Sequence, residues 1–431
     1  LGGGRPYTIR DYRRQIMTVT IDTDYLIAGA GIGGLTAALA LHAHGVHDLL
    51  IIEAAKRIRP LGVGINIQPA AVAELYALGL NRSMERSGIK TERVAHLDEK
   101  GKLLWSEARG LPGGSPYPQI SIHRGALEMF LLRAVKARLG RRAVRTGTRL
   151  VSFHEDGDRV AAVAIDQETG NEVCFRAKGL IGADGIHSAV RAQLQGDGNA
   201  VKRTPITMWR GVTECERFLD GRTMIVANDV YSTRLIAYPI SSDHERRGRA
   251  LVNWVCMVSA DTRSILDRPD WSETGKLDDI LPFFSHWGFD WLDIDALLSG
   301  SGTILQYPMV DRDPLERWGR GKVTLLGDAA HLMYPVGANG ASQAILDASA
   351  LAFELTSRKD VETAFTQYES ARRPVTSKIV LENRLRDRTE RTLALSNSND
   401  GEKAVVVEGM VSRYKQNVEN QKTHHSSTEG Q

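Results

Sequence analysis

Three glycines, spaced Gly29-x-Gly31-x-x-Gly34, separate the apolar run Asp24-Tyr25-Leu26-Ile27-Ala28 from a stretch of helix formers between Leu35 and His44. Such spacing suits a diphosphate. The first glycine permits a tight turn, the second lets a phosphate reach the main chain, and the third lets helix pack on strand. The anion then meets unpaired N–H groups at the helix start. Glu53 closes the next apolar run, Leu49-Leu50-Ile51-Ile52. An acid about twenty residues past the glycines can accept hydrogen bonds from an adenosine ribose. A carboxylate there also argues against a 2′-phosphate on the tightly held nucleotide. Together these features predict dinucleotide binding without separating NAD from FAD.

Far downstream, Gly327-Asp328-Ala329-Ala330-His331 follows a predicted strand, Val323 to Leu326. The small-residue loop Pro335-Val336-Gly337-Ala338-Asn339-Gly340 comes next, then a predicted helix from Ala341 to Leu355. Asp328 stands at a strand end where it can either cap a turn or hold a polar ligand. Gly337 and Gly340 allow main-chain N–H groups to approach a ring oxygen, and the helix start favours negative charge. His331 reads as a structural hydrogen-bonding residue more readily than as a proton donor. Ser188 either belongs to a ligand motif or caps the helix containing Arg191. No Gly-x-Ser-x-Gly and no zinc-ligand spacing is present.

The elements that must position these residues are those of a large α/β protein. A chain of 431 residues can bury one large core or two linked ones. A net charge of +3, with 55 basic and 52 acidic residues interleaved, gives no support for nucleic-acid or anionic-membrane binding. The run from Tyr25 to Ala43 is too glycine-rich and short for stable membrane insertion. Cys174, Cys215 and Cys256 are too widely spaced for a disulfide framework, so a reducing, cytoplasmic setting is the default. Residues 1–16, ahead of Met17, read as an extension, and the tail from Asn397 as frayed.

Between residues 201 and 310 the pattern changes. Residues 203–213, 223–228, 233–240, 250–259 and Thr303 to Val310 predict a mostly antiparallel sheet, with helices between Trp271 and Leu298. Met208, Arg210, Ala237, Tyr238, Trp254 and Tyr307 are candidate walls for a planar ligand, although alternation sends some of them to a core instead. Arg210 could pair with a carboxylate. The expected division is a flexible 1–20, a first cofactor part over 21–200, a substrate part over 201–310, a second cofactor part over 311–375 and a helical segment with tail over 376–431. A turn is expected at Pro374. Leu381 through Leu395 reads either as a homodimer contact or as a solvated amphipathic helix.

The chain resembles the FAD-dependent aromatic hydroxylases of the 4-hydroxybenzoate hydroxylase type, and within them the phenazine hydroxylases. The glycine cluster with Glu53, the segment Leu61 to Pro69, Gly182-Ala183-Asp184-Gly185 through Arg191, and Gly327-Asp328 with Pro335 carry that resemblance. Met208 to Gly211, Asn253 to Val255 and Leu305 to Met309 carry the narrower likeness. The resemblance implies an FAD-binding Rossmann-like three-layer fold with an inserted substrate sheet and C-terminal helices. It implies that Gly29, Gly31, Gly34, Glu53, Arg124, Asp184, Asp328, Pro335, Gly337, Ala338 and Asn339 bind FAD, while Met208, Arg210, Tyr238, Trp254 and Tyr307 stay substrate-wall candidates on the strand pattern alone. Its activity would be hydroxylation of an aromatic or heteroaromatic ring, with a phenazine carboxylate that loses its carboxylate as one candidate. Dioxygen and NAD(P)H, NADH before NADPH, would act through a C4a-(hydro)peroxyflavin. A flavin oxidase and a noncatalytic flavin-binding protein remain the alternatives.

Overall fold

The computed structural model describes residues 20–196, 200–229, 233–259, 274–335, 337, 339–394, 405–406 and 408–409. The expected N-terminal extension, Trp271, Ala338 and most of the tail lie outside them. Two large sheets and a small one organise the chain. In the first, the parallel strands Val144–Arg145 (β8), Leu49–Ile52 (β2), Thr20–Ala28 (β1), Glu172–Gly182 (β11) and Val323–Leu325 (β17) lie side by side in that order. The hairpin of Thr148–Asp156 (β9) and Arg159–Asp166 (β10) pairs antiparallel with the N-terminal part of β11. Helix α1 (Ile32–Ala43) is buried along most of its length, from Leu35 to Leu41, as expected for a helix covered on all sides. It packs against α2 (Arg124–Leu139) and α3 (Gly340–Ser357).

The second sheet runs Leu305–Asp311 (β16), Lys202–Glu216 (β12), Arg249–Ser259 (β15), Thr233–Pro239 (β14), Thr223–Asn228 (β13), Arg93–Leu97 (β5) and Leu103–Ala108 (β6). It is antiparallel except where β13 meets β5. The last two strands come from a stretch that the sequence reading placed wholly in the first cofactor part. Nothing local to residues 93–108 announces a partner more than a hundred residues away, so this pairing is a product of tertiary assembly. A small sheet, Gly64–Ile67 (β3), Gln119–His123 (β7) and Ile89–Thr91 (β4), lies at the junction. There Gly64 N–H donates to Asn253 Oδ1 at 2.7 Å. A Cβ on Gly64 would come within 2.5 Å of Asn253 Cβ, so the close approach of the two sheets needs glycine.

The C-terminal helix α4 (Val361–Ala394) continues through Pro374, where a turn was expected. Burial on both sides of the proline, at Phe365 and Tyr368 before it and Ile379 and Val380 after it, holds the helix together despite the lost hydrogen bond. Tyr368 OH donates to Leu325 O at 3.1 Å, and Arg384 pairs with Asp311 at 2.6 Å and Asp313 at 2.8 Å. Leu381 and Leu385 stay exposed on this helix. Among the described residues no helix is long and apolar enough to cross a membrane.

Candidate active site

Ala28, Ile52, Gly182 and Leu325 are in register across neighbouring parallel strands. Their chains therefore leave the sheet along one carboxyl edge, where open α/β sheets hold ligands. Gly29 turns with φ +106°, and a Cβ there would sit 2.3 Å from Ala183 O. One on Gly34 would sit 2.0 Å from Gly29 O, whereas one on Gly31 would meet nothing within 4 Å. The first and third glycines thus close the turn, and the second opens a cradle at the start of α1. Glu53 is fixed beside it, one oxygen accepting Ala30 N–H and the other Ala55 N–H, each at 2.8 Å.

The distant segment meets this turn directly. A Cβ on Gly33 would lie 2.5 Å from Leu326 Cδ2, just ahead of Gly327. Asp328 begins a one-turn helix that ends at His331. Its side chain is open to solvent although protein surrounds it, the signature of an acid facing into a cleft. Desolvation raises its carboxyl above the usual range, with His331 and Arg124 opposing and Asp347 adding to the rise. Among the described residues nothing hydrogen-bonds that carboxylate. Arg124, at the start of α2, has Glu128 4.0 Å away as its ion-pair partner. Burial raises the Glu128 carboxyl, Arg124 counteracts this, and Glu53 reinforces it, so these three charges share one corner.

Pro335 is exposed and Gly337 turns with φ +76°. Gly337 O accepts from Gln68 Nε2 at 3.2 Å, while Ser342 Oγ accepts Gln68 N–H at 3.0 Å. The loop is thereby tied to the segment Leu61 to Pro69. Asn339, buried, precedes α3. His331 faces away from the cleft: it is buried, with Nε2 2.5 Å from Asp347 Oδ2. Asp347, Arg372 and Gln343 were missed by sequence reasoning. Their only signal is that Gln343 and Asp347 stand four apart on the helix face that also carries Ala344, Ala348 and Leu351.

Asp184 follows β11 beside Gly29, but its carboxylate is already engaged. It accepts Ser188 Oγ at 2.5 Å, Ala189 N–H at 2.7 Å and Val190 N–H at 3.3 Å. Desolvation raises this carboxyl while those bonds counteract the rise. Ser188 in turn accepts Arg191 N–H at 2.9 Å, the capping alternative.

Alternation divides the wall candidates. Met208 packs in an apolar patch with Val255, Met257, Met309 and Tyr334, and Tyr307 adjoins it. Since Tyr334 precedes Pro335, this face meets the cofactor-side loop. On the same face Arg210 Nη2 and Tyr238 OH both donate to Gly64 O, at 2.6 and 2.9 Å. Trp254 and Ala237 do not join them. Both belong to the opposite core, where Trp254 Nε1 donates to Ser301 Oγ at 2.8 Å. Side chains one residue apart on a strand face opposite ways, which places Trp254 behind the sheet.

The edge fits FAD. Gly31 leaves room for a diphosphate at a helix start, Glu53 is held beside that turn by Ala30 and Ala55 N–H, and Asp328 is an acid with no hydrogen bond among the described residues. The chain belongs to the FAD binding domain family, whose match covers residues 22–265 and 301–383. More narrowly, it is an FAD-dependent aromatic monooxygenase. It is 55% identical over 408 residues, 94% of this chain and 99% of the relative, to the phenazine 1,6-dicarboxylic acid hydroxylase PhzS of Lysobacter antibioticus. With the 3-hydroxybenzoate 6-hydroxylase 1 of Aquipseudomonas alcaligenes it shares 31% identity, covering 82% of this chain and 86% of that one. The structure of Klebsiella pneumoniae HpxO with FAD and uric acid superposes with a TM-score of 0.72, at 24% identity over 95% of each chain, a likeness of fold.

Proposed function

We propose that this enzyme hydroxylates a planar aromatic carboxylate of the phenazine class, with NADH in preference to NADPH as reductant. Arg210 carries the reading. It is a half-buried guanidinium on the apolar wall, with no acid partner among the described residues and with Nε unpaired. A desolvated cation is costly unless matched by an anion, and a substrate carboxylate supplies one. The extensive similarity to a phenazine dicarboxylate hydroxylase supports the ring class. Three unpaired cysteines among the described residues agree with a reducing cytoplasm.

Bound FAD supplies the electron transfer and oxygen activation. In this reading Glu53 receives the adenosine ribose, Gly29, Gly31 and Gly34 flank the diphosphate, and Arg124 reaches the diphosphate–ribityl region. Asp328 holds a ribityl hydroxyl, and Pro335, Gly337 and Asn339 line the ring. Asp184 shapes the turn against Gly29 through its caps. Met208, Tyr307 and Tyr334 exclude water from the ring of the substrate, which protects the oxygen-transfer step.

A substrate-dependent NADH and NADPH oxidation screen over aromatic carboxylates, phenazines included, tests the proposal when paired with product mass under labelled dioxygen. One labelled oxygen in the product is expected. Hydrogen peroxide with an unlabelled product would instead mark an oxidase. Arg210→Met is expected to raise KM for the carboxylated substrate by about tenfold or more, as loss of a charge-assisted hydrogen bond of about 1.5–3 kcal/mol requires. Equal KM values would remove Arg210 from substrate recognition. Asp328→Ala is expected to weaken FAD binding by a comparable factor, read by titrating apoprotein with FAD.

A further inference from the structure

Asp347 is wholly buried in the middle of α3, yet it carries a full set of partners drawn from elsewhere in the fold. Its Oδ2 accepts Gly327 N–H at 3.2 Å and lies 2.5 Å from His331 Nε2. Gly327 immediately precedes the one-turn helix Asp328–His331, and His331 is its last residue. One carboxylate oxygen therefore holds both ends of the element whose first side chain is Asp328. The other oxygen accepts Arg372 Nε from α4 at 2.8 Å, and Arg372 Nη2 donates to Gln343 Oε1 at 2.6 Å. Trp318 packs 5.4 Å from His331 and 5.6 Å from Tyr368, closing the cluster on the side of α4.

We propose that Asp347 is a positioning residue for the flavin, clamping the Gly327–His331 turn so that Asp328 faces the cleft. The inference rests on the reading of Asp328 as a ribityl partner. The geometry supports it because Asp328 has no hydrogen bond of its own among the described residues. Gly327, at φ +64°, is the bend that turns the chain into the cleft, and its N–H is anchored by Asp347. Hydrogen bonds to a buried carboxylate are directional and strong, so they set the orientation of the turn rather than merely fill space. An asparagine at this position keeps the shape but has a single acceptor oxygen. With that oxygen toward Gly327 and His331 its NH2 faces the Arg372 guanidinium, and with the oxygen toward Arg372 the NH2 faces Gly327 N–H, so in either orientation two donors oppose and the turn is pushed out of place.

The test is a double-mutant cycle of Asp347→Asn and Asp328→Ala, with FAD dissociation constants measured on refolded apoproteins by flavin fluorescence. Asp347→Asn alone is expected to weaken FAD by about tenfold, and by less than about threefold once Asp328 is alanine, because coupled sites are non-additive. Losses that multiply would overturn the clamp, since they would show Asp347 acting on the fold at large. An Asp328→Ala protein with unchanged FAD affinity would overturn the reading of Asp328, and the clamp with it. If Asp347→Asn apoprotein lacks native far-ultraviolet circular dichroism, His331→Leu replaces it in the cycle, with the same outcomes deciding. His331→Gln, which retains an N–H donor, is expected to keep FAD affinity within about twofold of the parent, a single preserved hydrogen bond being the difference from His331→Leu. Equal losses in the two His331 variants would overturn the clamp as well.

Discussion

Gly34→Ala is expected to yield a protein that purifies without FAD and unfolds at markedly lower denaturant concentration. The added Cβ would lie 2.0 Å from Gly29 O, a backbone atom, with Ile27 Cγ2 3.3 Å away. Neither neighbour is the free end of a flexible side chain. Helix α1 must therefore lift from β1, or the glycine turn must open. Overpacking of this kind costs about 1–3 kcal/mol and sometimes more, and here the displaced atoms belong to the glycine turn proposed to cradle the diphosphate. Gly31→Ala is the contrasting variant. Its Cβ meets no protein atom within 4 Å, so stability of the apoprotein should hold while FAD affinity falls, because the methyl enters the space proposed for the diphosphate. Urea melts of the apoproteins with FAD titrations separate the two. Wild-type FAD affinity in Gly34→Ala would contradict the tight-packing account of that glycine.

Arg372→Met should destabilise the fold by about 3–5 kcal/mol, the usual cost of removing one partner from a buried ion pair. Methionine fills much of the volume, so the loss is electrostatic. Asp347 would keep His331 and Gly327 N–H but lose the guanidinium 2.8 Å from Oδ1. Gln343 would lose its partner too. In the intact protein, burial works against ionisation of Asp347, yet His331 and Arg372 outweigh it and hold the carboxyl below its ordinary 3.8. A depressed folded-state value means that this group's stabilisation is complete above the unfolded value and is lost as pH falls through the folded one. Without Arg372 the folded-state value rises, so acid unfolding of the variant should begin at higher pH. An acid-unfolding midpoint equal to the parent's would show that Arg372 contributes nothing to keeping Asp347 charged.

Much of the cofactor edge was legible because its requirements are local. A turn that must bend at Gly29, approach a phosphate at Gly31 and pack at Gly34 has a readable spacing. The strand before it and Glu53 after it follow short-range apolar patterns. Gly327-Asp328 was legible for the same reason, a glycine bend followed by an acid at the end of an apolar run. Asp184 was legible as a motif, but not that Ser188 and the following backbone N–H groups occupy its carboxylate. The wall residues were half legible. Period-two alternation says that Tyr238 and Ala237 face opposite ways, but not which of them lies on the Met208 face and which in the core behind the sheet. That phase depends on where the helices after residue 274 pack, and they draw Trp254 and Ala237 to their side.

The sequence by itself determined that a dinucleotide is held and which elements turn toward it, because turn geometry and helix starts are written in neighbouring residues, while the narrowing to FAD came from the resemblance of the whole chain. Only the tertiary structure decided three further things. It recruited Arg93–Leu97 and Leu103–Ala108 into the substrate sheet, carried α4 through Pro374, and brought Asp347, His331 and Arg372 together behind Asp328. Each depends on contacts between segments far apart in the chain, where the loss of chain entropy is repaid by burial that no single segment encodes. Asp347 illustrates the difference: a charged residue in an apolar helix face reads as a misfit until the folded chain places a histidine, an arginine and a backbone amide around it.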